Sequence, residues 1–219
     1  MSRTANPAAP QPVYPGVVPL MELFGPRGKG YEACKRSIDV LASLFLLVVL
    51  MPLSAAIVAL VRASGPGPIL FKQRRLGRGG KPFWCYKFRS MVPDAESRLA
   101  LGSELGSRFH KNYKIKDDPR VTRVGAVLRR TSLDELPQLW NVLRGDMSLV
   151  GPRPESAERT KHYSDWQRQR LKVHGGVTGL AQVHGLREQH SSEEKARFDL
   201  QYIFTWSPLL DLSLILQTA

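Results

Sequence analysis

The longest feature in the hydrophobic pattern is a run without a charge from Val40 to Val61, 22 residues in all. About 20 apolar residues suffice to cross a bilayer as a helix. Lys35 and Arg36 before the run and Arg62 after it fit a membrane helix better than a wholly buried core helix. Two features argue against a simple span. Pro52 sits near the middle, where it frees a backbone carbonyl and bends a helix. Both flanks are basic, with Lys72, Arg74 and Arg75 following Arg62, so the positive-inside rule gives both ends the same preference. A helix broken at Pro52 that enters and leaves one leaflet satisfies both, and the residues favour that re-entrant form over a span.

Beyond Ser64-Gly65-Pro66-Gly67-Pro68, a hard stop, the alternation changes to period two. Ile69–Leu76, a Gly77-Arg78-Gly79-Gly80 turn and Lys81–Met91 predict a β-hairpin. In its second strand Trp84, Tyr86 and Phe88 point one way and Cys85, Lys87 and Arg89 the other. Pro93–Lys116 is predicted helical, with Asp117-Asp118-Pro119-Arg120 as a loop. Leu136, Leu139, Trp140 and Leu143 follow i, i+3, i+4, i+7, which predicts a helix with that face buried, closed by Gly145. Met147–Val150 is a short strand. Ser156–Val173 reads as a polar, basic helix, and His174–Gly185 as a glycine-punctuated loop and short strand. Ser192 is expected to cap a helix through Tyr202. Trp206-Ser207-Pro208 starts another, suited equally to the membrane interface and to a core. The prediction is an α+β chain: a broken membrane helix, a small hairpin, and several helices at the interface. It divides into a proline-rich disordered tail (1–30), the membrane helix (31–63) and a domain with interfacial helices (64–219).

Charge narrows the partners. Net charge is +13, from 32 Lys and Arg against 19 Asp and Glu, which suits an anionic partner: nucleic acid, anionic lipid or a phosphorylated substrate. The apolar run and the absence of any base-reading motif disfavour nucleic acid. Cys34 and Cys85 make neither a disulfide framework nor a metal spacing, and the five histidines show no zinc motif. The hairpin turn lacks the GK[ST] ending of a phosphate-binding P-loop.

The candidate chemistry lies in Arg129-Arg130-Thr131-Ser132-Leu133-Asp134-Glu135-Leu136-Pro137. Were Ser132 the N-cap, the Pro137 ring would meet a carbonyl one turn back, at about 3 kcal/mol. Asp134 is therefore placed at the N-cap and Glu135 in the first turn, where the helix dipole favours anionic carboxylates. An ordinary cap is the local reading. Its company argues for more: five arginines between Arg120 and Arg144, and Arg153 held extended between Pro152 and Pro154. A guanidinium fork so presented suits phosphate. Lys87 and Arg89, about 7 Å apart on one strand face, could hold a diphosphate. Asp117 and Asp118 are secondary metal-ligand candidates.

These residues resemble those of the small monotopic phosphoglycosyl transferases, the bacterial sugar transferases that start glycan assembly on a polyprenol carrier. The resemblance runs from about Lys35 to Ala219. It is carried by Lys35-Arg36-Ser37-Ile38-Asp39, Pro66–Gln73, Tyr86–Met91, Asp118–Gly125, Ser132–Leu139, Gly145–Pro154 and Gly179-Leu180-Ala181-Gln182-Val183. It implies transfer of a sugar-1-phosphate from a UDP-sugar to a polyprenyl phosphate, with release of UMP. By resemblance Asp134 is the nucleophile and a Mg²⁺ ligand, and Glu135 assists. Lys87, Arg89, Arg129 and Arg153 bind substrate phosphates. It further implies a re-entrant helix on the cytoplasmic face of the bacterial inner membrane, in contact with membrane lipid. Met51 stands where the family often has Ser before the proline, and His174-Gly175-Gly176 where it often has Pro-Gly. Larger relatives carry extra membrane spans ahead of this unit, so the chain is expected to resemble the minimal catalytic form. Its close after the last apolar helix also fits a truncated chain. Interfacial helices could pair into a homodimer. The competing reading is a non-catalytic membrane scaffold of the same fold. The sugar is not legible.

Overall fold

The computed structural model describes residues 29–95, 97–99, 118–186 and 191–218. Most of the expected proline-rich tail, most of the expected Pro93–Lys116 helix, and Asp117 lie outside them.

The apolar run forms two helices, α1 (Lys29–Val49) and α2 (Met51–Ala63), bent by 62°. The break falls at Leu50, just ahead of Pro52. Pro52 thereby occupies the first turn of α2, where its missing N–H leaves no intrahelical bond unmade. Neither helix is long and apolar enough to cross a membrane by itself. Ile38, Leu41, Leu44, Phe45, Val48 and Val49 of α1 are exposed, as are Met51, Leu53 and Leu60 of α2. The N-terminal half of α1 meets the rest of the protein through polar contacts. Lys35 reaches Asp211 (2.6 Å), Arg36 donates to the carbonyls of Val142 and Leu143 (2.5 and 2.7 Å), and Asp39 accepts from Ser148 Oγ and the Leu149 N–H.

After α2 comes the predicted hairpin, β1 (Leu70–Leu76) antiparallel to β2 (Pro82–Phe88), with Lys72 opposite Tyr86 and Phe71 opposite Lys87. Helix α3 (Arg123–Arg130) is capped by the Thr122 side chain. Helix α4 (Gln138–Arg144) ends at Gly145, whose φ of 87° is the left-handed conformation expected of a helix-ending glycine. Its buried face differs from the expected stripe. Gln138, Leu139, Asn141 and Val142 turn inward, while Trp140 is 53% exposed. Of the expected stripe, Leu139 is buried and Leu136 and Leu143 are half-buried, while Trp140 faces outward.

Two short strands, β3 (Met147–Val150) and β4 (Gly175–Thr178), pair in parallel at the centre. The segment between them is not the single helix expected over 156–173. It breaks into α5 (Ala157–Thr160), α6 (Asp165–Arg168) and a 3₁₀ turn over Gln169–Lys172. Ser164 and Gln167 form a capping box that starts the second piece afresh. Gly179 leads into a helical turn, α7 (Leu180–Val183), rather than further strand. Helix α8 (Ser192–Thr205) is capped by Ser191, one residue before the expected position, and α9 is Pro208–Thr218. Leu139, Val142, Met147, Leu149, Val150, Tyr202 and Leu214 form the main core, onto which Ala42, Leu46 and Leu47 of α1 pack. A second cluster of Ile57, Val61, Phe88 and Leu128 joins α2, β2 and α3. Half of α9 is core and half is not: Leu214 is buried, whereas Leu209, Leu212 and Leu216 are exposed.

Candidate active site

Asp134 is not a helix N-cap. Ser132 adopts a left-handed conformation (φ 56°), and Leu133–Glu135 forms a 3₁₀ turn that closes with Leu136 N–H on the Leu133 carbonyl. Pro137 itself is the N-cap of α4. The proline forbids regular helix one turn behind it, so the two carboxylates sit on a tight turn ahead of the helix.

That turn gives the neighbours opposite environments. Glu135 is bridged by the Lys87 ammonium (2.7 Å) from β2 and gripped by both terminal nitrogens of Arg153 (2.6 and 3.2 Å) from the loop after β3. Burial alone would raise its pKa, but Arg153 and Lys87 outweigh it and hold the carboxyl far below the usual range. Asp134 is 7% exposed and receives no hydrogen bond from the described residues. Burial pushes its pKa up, as does the Glu135 charge, against the pull of Lys87, Arg129 and Arg153. One carboxylate is thus neutralised by cations, and the other is left with oxygens to spend on something else.

The remaining predicted residues divide. Arg129 lies on the same groove and donates Nε to Ser90 Oγ (2.8 Å). Arg89 lines that groove too, beside Lys87, but its guanidinium is already engaged. Its guanidinium turns away to the carbonyls of Pro66, Val61 and Gly65 (2.7–2.8 Å), where it closes the C-terminal end of α2. Helix-end carbonyls attract a cation strongly, and strand alternation cannot foresee them. Asp118 is committed to Arg120 (2.6 Å). No group of three or more His, Cys, Asp or Glu that could hold a metal occurs among the described residues. A single unspent carboxylate still fits Mg²⁺, an ion bound through one or two carboxylates with phosphates completing its shell.

Asp134, Glu135, Lys87, Arg129 and Arg153 all line one groove of about 2280 Å³. The same groove is lined by Phe45, Leu46 and Leu50 at the bend of α1 and by Leu212 and Ile215 of α9. A charged cradle therefore opens into the space bordered by the exposed apolar helices.

Residues 30–219 match the profile of the bacterial sugar transferases. The chain belongs to that family. Among curated bacterial sugar transferases it is 41% identical over 189 residues to the undecaprenyl-phosphate galactose phosphotransferase of Salmonella typhimurium, covering 84% of this chain and 39% of the relative. It is 40% identical over 214 residues to the UDP-glucose:undecaprenyl-phosphate glucose-1-phosphate transferase of Xanthomonas campestris pv. campestris (93% and 42%). The exopolysaccharide production protein ExoY of Rhizobium meliloti is 40% identical over 188 residues (84% and 83%). The chain thus spans about two fifths of the first two relatives and most of the third. The family reading of the motifs holds.

Several residues that build this candidate site were given no role by the sequence. Asn141 bonds the Tyr86 N–H and the Trp84 carbonyl, locking α4 to β2. Ser90 receives Arg129. Arg170, twenty residues beyond β3, bonds the Arg153 carbonyl. These contacts join residues distant in sequence, and no local periodicity encodes them.

Proposed function

We propose that this protein transfers a sugar-1-phosphate from a UDP-sugar to a polyprenyl phosphate, at the cytoplasmic face of a bacterial inner membrane. The observation that carries the reading is the unlike pair Asp134–Glu135. An ionised carboxylate without hydrogen-bond donors can act as a nucleophile without a general base. An Asp134 oxygen attacks the phosphorus next to the sugar. The bond to the UMP oxygen breaks, and UMP leaves with its charge. A phosphosugar–aspartyl ester remains. An oxygen of the polyprenyl phosphate then attacks the same phosphorus, the ester bond breaks, and Asp134 returns as carboxylate. Glu135 holds Lys87 and Arg153 beside the reacting turn. Those cations and Arg129 offset the repulsion between carboxylate and phosphates. Asp134 would hold Mg²⁺, which would neutralise phosphate charge.

The acceptor reading is supported by the groove's apolar border at the α1 bend and α9. A re-entrant course is supported by the attachment of both ends of the bent pair to one folded body. Lys35, Arg36 and Asp39 fasten one end, and Arg89 fastens the other. The membrane-facing residues are then Leu41, Leu44, Phe45, Val48 and Met51.

The test is UMP release from a panel of UDP-sugars by the purified protein with Mg²⁺ and polyprenyl phosphate. Labelled donor should leave phosphosugar on the wild type when acceptor is omitted, and none on Asp134→Asn. Turnover by Asp134→Asn at the wild-type rate overturns the nucleophile. A wild type silent with every donor favours a scaffold of the same fold.

A further inference from the structure

Behind the Arg153 loop lies a second charge cluster that the proposed chemistry does not use. Glu155, Arg170, Lys195 and Asp199 have side chains only 1–4% exposed. Lys195 Nζ is 2.6 Å from Glu155 Oε1, and Arg170 Nη2 is 2.5 Å from Asp199 Oδ2. Arg159 and Arg75 approach Glu155 at 3.4 and 4.0 Å. The four buried charges cancel formally. Yet ion pairs so deep give little stability over apolar packing, because desolvation consumes their attraction. The cluster should therefore do something that leucines could not.

What it presents is a fixed guanidinium. Arg170 donates Nη1 to Tyr163 Oη (2.6 Å) and Nη2 to the Arg153 carbonyl (3.1 Å). Arg75 takes the next carbonyl, that of Pro154 (3.1 Å), and the Leu76 N–H takes that of Glu155 (3.0 Å). Pro152 and Pro154 stiffen the loop within itself, but stiffness does not set its distance from β2 and the Asp134 turn. Anchors on its carbonyls do.

We propose that Arg170 is a positioning residue for the sugar-phosphate transfer site. From inside the buried cluster it holds the Arg153 carbonyl, and through it keeps the Arg153 guanidinium on Glu135. The inference rests on the reading of Asp134–Glu135 as the reacting pair. A guanidinium suits the task because its planar fork serves three partners at once, which a lysine ammonium on a flexible stem does not.

The experiment is a double-mutant cycle. Arg170→Lys keeps the charge in the cluster but gives up the fork. Tyr163→Phe, the milder variant, removes only the hydroxyl that steadies Nη1 and serves if Arg170→Lys does not fold. Each should lower kcat/KM for the UDP-sugar about tenfold in the wild-type background, since small misplacement of a positioning group is costly. In an Arg153→Lys background the same change should cost less than about twofold, because the group it positions is already displaced. Equal losses in both backgrounds overturn the proposal and leave Arg170 a purely structural residue. A second cycle needs no turnover: melting temperatures of Tyr163→Phe and Glu135→Gln, alone and combined. Coupling of about 2 °C or more supports the link from Arg170 to Glu135, and additive shifts overturn it. An inactive wild type would count against the proposed reaction, while the melting cycle still decides the positioning role.

Discussion

The unlike environments of Asp134 and Glu135 predict opposite consequences for two substitutions that each remove one negative charge. Glu135→Gln leaves Lys87 and Arg153, which are only 20% and 23% exposed, facing a neutral amide. The amide oxygen can still accept one hydrogen bond, but the NH₂ group points a donor at a cation. Removing one partner of a buried pair costs about 3–5 kcal/mol, and a hydrogen bond to a charged group is worth about 1.5–3. With part of the cations' solvation kept and one acceptor retained, about 2–4 kcal/mol is expected. For a chain of this length that lowers the melting temperature by roughly 5–15 °C. Asp134→Asn should behave otherwise. Its carboxylate is buried without donors, and burial already penalises the charged form. The neutral amide removes that penalty, so stability should stay within about 1 kcal/mol of the wild type. The assay is thermal unfolding of both variants in the same detergent or lipid, beside UMP release. Two results would refute the reasoning: Glu135→Gln melting with the wild type, or Asp134→Asn melting as far below it as Glu135→Gln is expected to.

Three further predictions follow from single contacts. The Glu135 carboxyl is held below its ordinary value of 4.5, so it contributes stability above that pH and loses it as the pH falls through the folded value. Glu135→Gln should thus show a shallower loss of stability between about pH 5 and pH 3, measured by chemical or thermal unfolding. A Cβ on Gly125 would meet the Ser90 carbonyl oxygen at 1.9 Å, and a backbone atom cannot swing aside. Gly125→Ala should destabilise by about 3 kcal/mol or more, and it should lower activity by moving Ser90 from Arg129; an unchanged melting temperature would contradict it. Arg36→Met removes the cation on the last carbonyls of α4 and should cost about 2 kcal/mol, read as a lower melting temperature with the α1 apolar face intact.

The sequence by itself determined what local chemistry can encode. Pro52 broke the apolar run, the glycine turn and period-two alternation set the hairpin, and Gly145 closed α4. Arg153 between prolines marked a presented guanidinium, and the motifs marked the family. Each of these is a property of neighbours along the chain. The tertiary structure decided how residues met. Pro137 shifted the start of α4 and put Asp134 on a 3₁₀ turn instead of a cap, because the ring's clash is felt one turn away. Arg89, just past the end of β2, gave its guanidinium to the carbonyls ending α2, and Arg170 reached the Arg153 carbonyl from the 3₁₀ turn over Gln169–Lys172. A side chain's partner is set by which buried carbonyls and charges lack one, and that is fixed only once the whole chain has packed.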